Sequence, residues 1–448
     1  MHAVKRRRDN ARGGRRPTPA GARRTLDARI EELAPGGDAV AIVSVEGERR
    51  AIFTPGLLPG EEATLEVDLS TRPARGKVVS LTKSSPDRVT PTCRWVDTCG
   101  GCDFMFASDE ARRREHGALV ARLLPAAFAH VAVEMHAASR TLGYRIRARV
   151  HVEARGATVR VGMFGRGTHE PVPVESCVVL DPRVEAARLA LASLLAGARG
   201  RADVHLALGA KSPVVEVRFR GDALPPHVFA RAEELVRLGA VAGIRLWEGD
   251  VKIPATIGDP TPWMQGADDL PLELGPGGFS QASEEGNRAL ARRAVDLAFE
   301  LSPDPAAPVL ELYAGAGNLT VLLAKERSVT AVEVDAGACA AARRNLATRG
   351  LAKSARVVEG DAATFPIPRA TKLLVLDPPR TGAKEIARAL AQRPVPAVVY
   401  VSCDPVTLAR DLAVLADAGY ALRAVEAFEM FPQTSHVETI AALEWSRR

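Results

Sequence analysis

From about residue 282 to its end the chain alternates helical and strand patterns, and this alternation limits the fold more than any other feature. A helical stretch at 283–301 leads into an apolar run at 308–313. Further short strands are expected near 328–334, 355–359, 372–377, 397–402 and 437–443. Strands separated by helices build a mostly parallel, doubly wound sheet. Ligands bind such sheets outside the carboxyl ends of the strands. Residues at those ends are therefore the first candidates for chemistry.

Three strand ends stand out. Pro308-Val309-Leu310-Glu311-Leu312 runs into Tyr313-Ala314-Gly315-Ala316-Gly317-Asn318-Leu319-Thr320, a glycine turn that opens a helix. Glycines let the backbone approach a ligand closely. The next strand ends near Glu333 and Asp335, where an acid can accept both hydroxyls of a ribose. The full dinucleotide pattern is missing, because Thr320 takes the last glycine position, and there is no P-loop lysine. Asp361 follows the third strand and can meet an adenine edge. A second end carries Asp377-Pro378-Pro379-Arg380. The third, Tyr400-Val401-Ser402-Cys403-Asp404-Pro405, puts one thiol where a buried strand stops. Taken singly, each has a bland reading: Tyr313 as core, Asn318 as a helix cap, Cys403 as inert packing.

These blocks, with Phe431-Pro432-Gln433-Thr434-Ser435-His436-Val437-Glu438-Thr439 downstream, occur in an order that resembles the uracil-5-methyltransferases of RNA. The resemblance spans roughly residues 25 to 448. It implies a Rossmann-like class I methyltransferase domain that uses S-adenosylmethionine. It assigns cofactor contacts to Gln281, Tyr313, Asn318, Glu333, Asp361 and Asp377. It makes Cys403 the nucleophile on carbon 6 of uracil and Glu438 the base that removes the carbon 5 proton. That chemistry needs one thiolate and one general base. His436 is expected to support its loop, and Cys339 to be core. The chain departs from many relatives at Asp404, where asparagine is frequent, and at Gln433, where histidine can occur. Neither position carries the proton or the thiol.

Six cysteines are present, and Cys93, Cys99 and Cys102 fall within ten residues, with Gly100 and Gly101 between the last two. Cys177 offers a fourth ligand. Four thiolates suit a [4Fe–4S] cluster or zinc. The family resemblance favours the iron–sulfur cluster, in a structural role. No secretion signal accompanies the thiols, so disulfides are not expected and the chain is read as cytoplasmic.

The N-terminal half reads as nucleic-acid machinery. Residues 1–24 hold nine basic residues against Asp9 alone, a surplus larger than the +6 of the whole chain. Such an arm can bind phosphates by counterion release. Residues 25–84 show short strands with turns at Gly36-Gly37, Pro55-Gly56 and Pro59-Gly60. Leu57-Leu58-Pro59-Gly60-Glu61 and Gly76-Lys77-Val78-Val79 resemble a TRAM domain, an OB-like RNA-binding β-barrel. Arg145, Arg147 and Arg149 share one strand face, with Arg155, Arg160 and Arg166 following, and suit an RNA backbone. The expected division is a basic arm (1–24), a barrel (25–84), an α+β iron–sulfur and RNA-binding central domain (85–270) and the methyltransferase domain (271–448). The expected activity is 5-methylation of a uridine in RNA, 23S rRNA being favoured because transfer-RNA relatives commonly lack both barrel and cysteine set. A monomer without membrane contact is expected. A transfer-RNA enzyme, a non-catalytic ribosome-assembly factor and a nicotinamide-dependent reductase are the rivals.

Overall fold

A computed structural model describes residues 23–278 and 281–446. The basic arm therefore lies outside the described residues, apart from Arg23 and Arg24, which open the first strand. The described residues divide into two compact units, one from residues up to 34 with 38–88, the other from 35–37 with those from 89 onward. Among the described residues no helix is long and apolar enough to cross a membrane.

The first unit is a closed barrel of β1 (Arg23–Leu33), β2 (Ala39–Val45), β3 (Glu48–Thr54), β4 (Glu62–Asp68) and β5 (Ala74–Lys83), paired in the order β1-β2-β3-β5-β4. Strand side chains alternate between faces. In β4, Ala63, Leu65 and Val67 point inward and are buried, while their neighbours are half-exposed. Ile30 and Ile52 are buried with them. Glu61 is fully buried, yet ionised. Burial opposes its charge, but Arg88 and the amides of Leu58 and Ser85 outweigh that and hold the carboxyl below its ordinary value. Arg88 grips it at 2.6 and 2.7 Å. This clasp explains the Leu57–Glu61 pattern: the turn needs a buried carboxylate to satisfy its amides.

The second unit begins with α1 (Asp109–Leu123) and β6 (Val133–His136). A six-stranded sheet follows, from β7 (Arg147–Arg155), β8 (Thr158–Gly162), β9 (Arg199–Leu208), β10 (Pro213–Gly221), β11 (Gly243–Glu248) and β12 (Ala255–Gly258), backed by α2 (Pro182–Leu194) and α3 (Pro226–Arg237). A small hairpin, β13 (Trp263–Gln265) and β14 (Pro271–Glu273), leads to the second sheet.

That sheet is built from α4 (Glu284–Leu301), β15 (Val309–Leu312), α5 (Thr320–Leu323), β16 (Val329–Glu333), α6 (Ala336–Thr348), β17 (Ala355–Glu359), β18 (Leu373–Leu376), α7 (Lys384–Gln392), β19 (Ala397–Ser402), α8 (Pro405–Asp417), β20 (Tyr420–Phe428) and β21 (Glu438–Trp445). The strand order is β17-β16-β15-β18-β19-β21-β20-β6. The central strands β15, β18 and β19 are buried at every position, as expected where helices cover both faces. Alternate residues feed two cores. Val309, Val375, Val399 and Val401 pack with Leu290, Ala291 and Ala294 of α4. Leu310, Leu374, Val398 and Tyr400 pack with Ile386 of α7 and Leu408 of α8.

Two strands of this sheet were not expected from the sequence. β20 carries a register shift between Leu422 and Ala424, which breaks the two-residue alternation that would have marked it. β6 is four residues long and pairs parallel to β20. It ties the segment after α1 into the same sheet as the glycine turn.

Candidate active site

The strand order reverses between β15 and β18, and the crevice beyond such a reversal is where open α/β sheets bind ligands. β15, β18 and β19 run parallel and end there. β21 runs antiparallel to β19, so its first residue arrives at the same edge. Ser402 pairs with Thr439. One step further along that register sets Cys403 opposite Glu438.

The charges of these groups act on each other. Burial pushes the Cys403 thiol up to about 11, and the Glu438 and Asp377 carboxylates add to this while Arg380 opposes it. Glu438 is 3% exposed. Burial pushes its carboxyl up to about 8, with Asp377 adding and Arg380 opposing. Burial also raises Asp377 to about 6. Glu438 Oε2 has no hydrogen-bond partner among the described residues. A buried carboxyl that titrates near neutrality, with a free oxygen beside a thiol, suits proton transfer. Arg380 Nη2 lies 3.3 Å from His436 Nε2.

Cys403 also sits just before the amino end of α8, where the helix dipole favours a thiolate. Asp404 is the N-cap and accepts from the amides of Val406 and Thr407 at 3.0 and 2.9 Å. An asparagine oxygen would cap equally well, which accounts for aspartate at this position.

The glycine turn follows β15. Gly317 has φ +87°, and a Cβ there would lie 3.3 Å from Ala342. Tyr313 takes φ +63°, a conformation few non-glycine residues adopt. Burial raises its hydroxyl, and the Asp361 and Asp411 carboxylates add to this. Glu333 accepts from the Gly315 amide at 2.9 Å and from the amides of Val334 and Asp335 at 2.8 Å. It braces the turn from β16. Asp361 caps its own loop, accepting from Ala363 at 2.9 Å. Asn318 is not a helix cap. Its amide forms a reciprocal pair with Asn287 of α4, at 2.9 and 3.0 Å. Gln281 is buried just before α4 begins. Cys339 is buried in α6 and donates to the Glu333 carbonyl.

Cys93, Cys99, Cys102 and Cys177 line one cavity, with Trp95, Met163 and Arg145. Burial pushes Cys102 up to about 12, and Cys177 and Cys99 add to it. Burial also raises Cys99 and Cys177. The Gly101 amide donates to Cys99 Sγ at 3.4 Å. A Cβ on Gly100 would lie 2.9 Å from the Phe164 carbonyl, so the loop packs too tightly for a side chain there. Arg166 donates to the carbonyls of Val96 and Cys102 and thus wraps this loop. Arg145 donates to the Arg147 carbonyl, and Arg149 pairs with Asp203 at 3.2 Å. These arginines have protein partners, which the period-two pattern alone did not foretell.

Residues 369–445 match the family model for tRNA (uracil-5-)-methyltransferases, and residues 309–393 a general methyltransferase domain. The 23S rRNA (uracil(1939)-C(5))-methyltransferase RlmD of Halomonas elongata is 36% identical over 461 residues, covering 95% of this chain and 90% of its own. The chain belongs to the RNA uracil-5-methyltransferase family. Another member, RlmD of Pseudomonas putida, is 33% identical over 97% of this chain and 96% of its own. Among solved structures, the Pyrococcus abyssi tRNA (uracil-54, C5)-methyltransferase in complex with S-adenosyl-L-homocysteine covers 93% of this chain and 100% of its own, with a TM-score of 0.71 at 21% identity. At that identity the likeness shows the fold, a class I methyltransferase, and no more.

The structure brings Cys403, Glu438 and Asp377 to one strand edge, with Tyr313 and Glu333 at or under the adjoining turn. The sequence did not point to Asn287, and it offered Arg380 only as part of the Asp377–Arg380 strand end, without a role. Asn287 left a signal, a polar residue on the otherwise apolar face of Leu290, Ala291 and Ala294.

Proposed function

We propose that this chain transfers a methyl group from S-adenosylmethionine to carbon 5 of a uridine in 23S rRNA. The placement of Cys403 opposite Glu438, beside a glycine turn at the sheet's reversal, carries this reading. Curated relatives at 30–36% identity, named for that reaction, support the substrate class.

Uracil carbon 5 is a poor nucleophile. When the Cys403 thiolate adds to carbon 6, the electron pair of the ring double bond becomes available at carbon 5. Bound S-adenosylmethionine supplies the methyl group that this carbon takes. Glu438 then accepts the carbon 5 proton, the double bond re-forms, and the thiolate leaves. The Arg380 guanidinium and the α8 dipole favour the thiolate against the two carboxylates. The target base must leave its stack to reach Cys403, at a cost of a few kcal/mol. Tyr313, Asn318, Glu333, Asp361, Asp377 and Gln281 are the proposed cofactor contacts.

The cysteine cavity fits a cluster. Burial holds the Cys99, Cys102 and Cys177 thiols protonated, and a bound cation would compensate their ionisation. The resemblance favours [4Fe–4S] ligation by Cys93, Cys99, Cys102 and Cys177 over zinc, and the shared cavity they line supports it. Its role is structural, because methyl transfer moves no net electrons. The barrel is proposed to be TRAM-like and to hold RNA backbone.

Glu438→Gln tests the mechanism. The amide cannot take the proton, so the variant should stall as a covalent protein–RNA adduct, visible on a denaturing gel with a 23S rRNA fragment and S-adenosylmethionine. Normal turnover without adduct would reject Glu438 as base. A transfer RNA substrate in a parallel lane tests the rival reading.

A further inference from the structure

The loop that delivers Glu438 is anchored by a residue of the cysteine loop. Asp103, immediately after Cys102, accepts from the Ser435 amide and the Ser435 hydroxyl, both at 2.7 Å. The Gln433 carbonyl accepts from the amides of Asp103 and Phe104 at 3.1 Å. His116 Nε2 donates to the Thr434 carbonyl at 3.0 Å. Burial holds the His116 ring down to about 4, so it is neutral and keeps the proton it donates. Gln433, Thr434 and Ser435 are all buried. The Gln433 and Thr434 carbonyls and the Ser435 amide and hydroxyl thus find their partners in the segment 103–116, and a buried polar group deprived of its partner is destabilising.

Glu438 depends on this anchoring. Its Oε2 has no partner among the described residues, so no hydrogen bond at that oxygen fixes its direction. Its backbone pairs with Phe428 in β20, and the next residue, Thr439, pairs with Ser402 in β19. The chain before it, through Val437 and His436 to Ser435, therefore sets the direction from which Glu438 enters the sheet.

We propose that Asp103 is a positioning residue: through Ser435 it fixes the loop Phe431–Val437 so that Glu438 meets the carbon 5 proton after methyl transfer. This rests on the reading of Glu438 as base. The residue acts on elimination and leaves addition and methyl transfer alone, since Cys403 is held independently by β19 and the α8 cap. Family motifs did not single it out, because it precedes Glu438 by most of the chain. It also gives the cysteine loop a task, since the turn that gathers the thiols presents this carboxylate.

The test uses full-length Asp103→Ala, Asp103→Asn and Ser435→Ala, with Glu438→Gln as reference. Each is mixed with S-adenosylmethionine and a 23S rRNA fragment. Three quantities are read: the first-turnover methyl-transfer rate, the adduct fraction on a denaturing gel, and the cofactor Kd. Asp103→Ala should lower steady-state turnover about tenfold or more and accumulate adduct, with first-turnover transfer changed less than about threefold. Its cofactor Kd should match wild type. Asp103→Asn should restore most of the turnover, because its oxygen still accepts from the Ser435 amide. Ser435→Ala should fall between, having lost one of two bonds. Equal slowing of first turnover and steady state without adduct would mean a merely structural role and overturn the proposal. So would wild-type product release by Asp103→Ala. If Glu438→Gln itself traps no adduct, the base assignment fails and the proposal falls with it. If Glu438→Gln traps adduct and Asp103→Ala does not, the proposal alone fails.

Discussion

Cys102 and Cys403 are both thiols held protonated by their surroundings, up to about 12 and about 11, yet the reasons differ. Around Cys102 the charges that add to burial come from other cysteines. Such a group could ionise together only if a bound cation compensated it. Around Cys403 the added charges are carboxylates, with Arg380 opposing them and a helix amino end close by. That thiol needs to ionise only briefly, as it attacks carbon 6 and again as it leaves. One surrounding suits permanent ligation and the other transient attack.

The largest expected effect separates the two sites. Cys403→Ala should abolish methylation while leaving cofactor Kd and iron content at wild-type levels. Single-turnover transfer at the wild-type rate would break the nucleophile assignment. Next comes metal content. Anaerobically purified protein should carry about four irons with matching sulfide. Serine at Cys93, Cys99, Cys102 or Cys177 should lose them, and serine at Cys339 or Cys403 should not. Stoichiometric zinc without sulfide would break the comparison from the other side.

Two smaller effects sharpen it. Since Glu438 and Asp377 raise the Cys403 thiol, Glu438→Gln should let that thiol ionise at lower pH, and Arg380→Ala should move it higher. Alkylation of the Cys403 peptide across a pH series, read by mass spectrometry, checks both signs. Cys102 should not move in either variant. Finally, turnover should rise with pH through about 8, as Glu438 loses its proton and can act as base. A flat profile from pH 6 to 9 would mean that another step limits the rate.

Much of this was legible because it is local. A glycine turn after an apolar strand, a thiol before Asp404-Pro405, and two glycines between Cys99 and Cys102 each declare themselves within a few residues. The buried strands β15, β18 and β19 were legible because both their faces are covered, which leaves continuous apolar runs. β20 was not, because its bulge interrupts the alternation. β6 was not, because four residues carry too little pattern. Arg166 follows the arginine face that suits an RNA backbone, and its bonds to the Val96 and Cys102 carbonyls appear only in space.

The sequence by itself determined which groups are available and at which strand ends they stand, since caps, turns and strand periodicity act over a few residues. The tertiary structure decided which of them meet. The antiparallel register of β19 and β21 faces Cys403 to Glu438, and Asp103 reaches Ser435 across most of the chain. The physical reason is that a register is chosen by which faces bury together and which backbone groups find partners, and neither choice is written in the residues on one side of a pair.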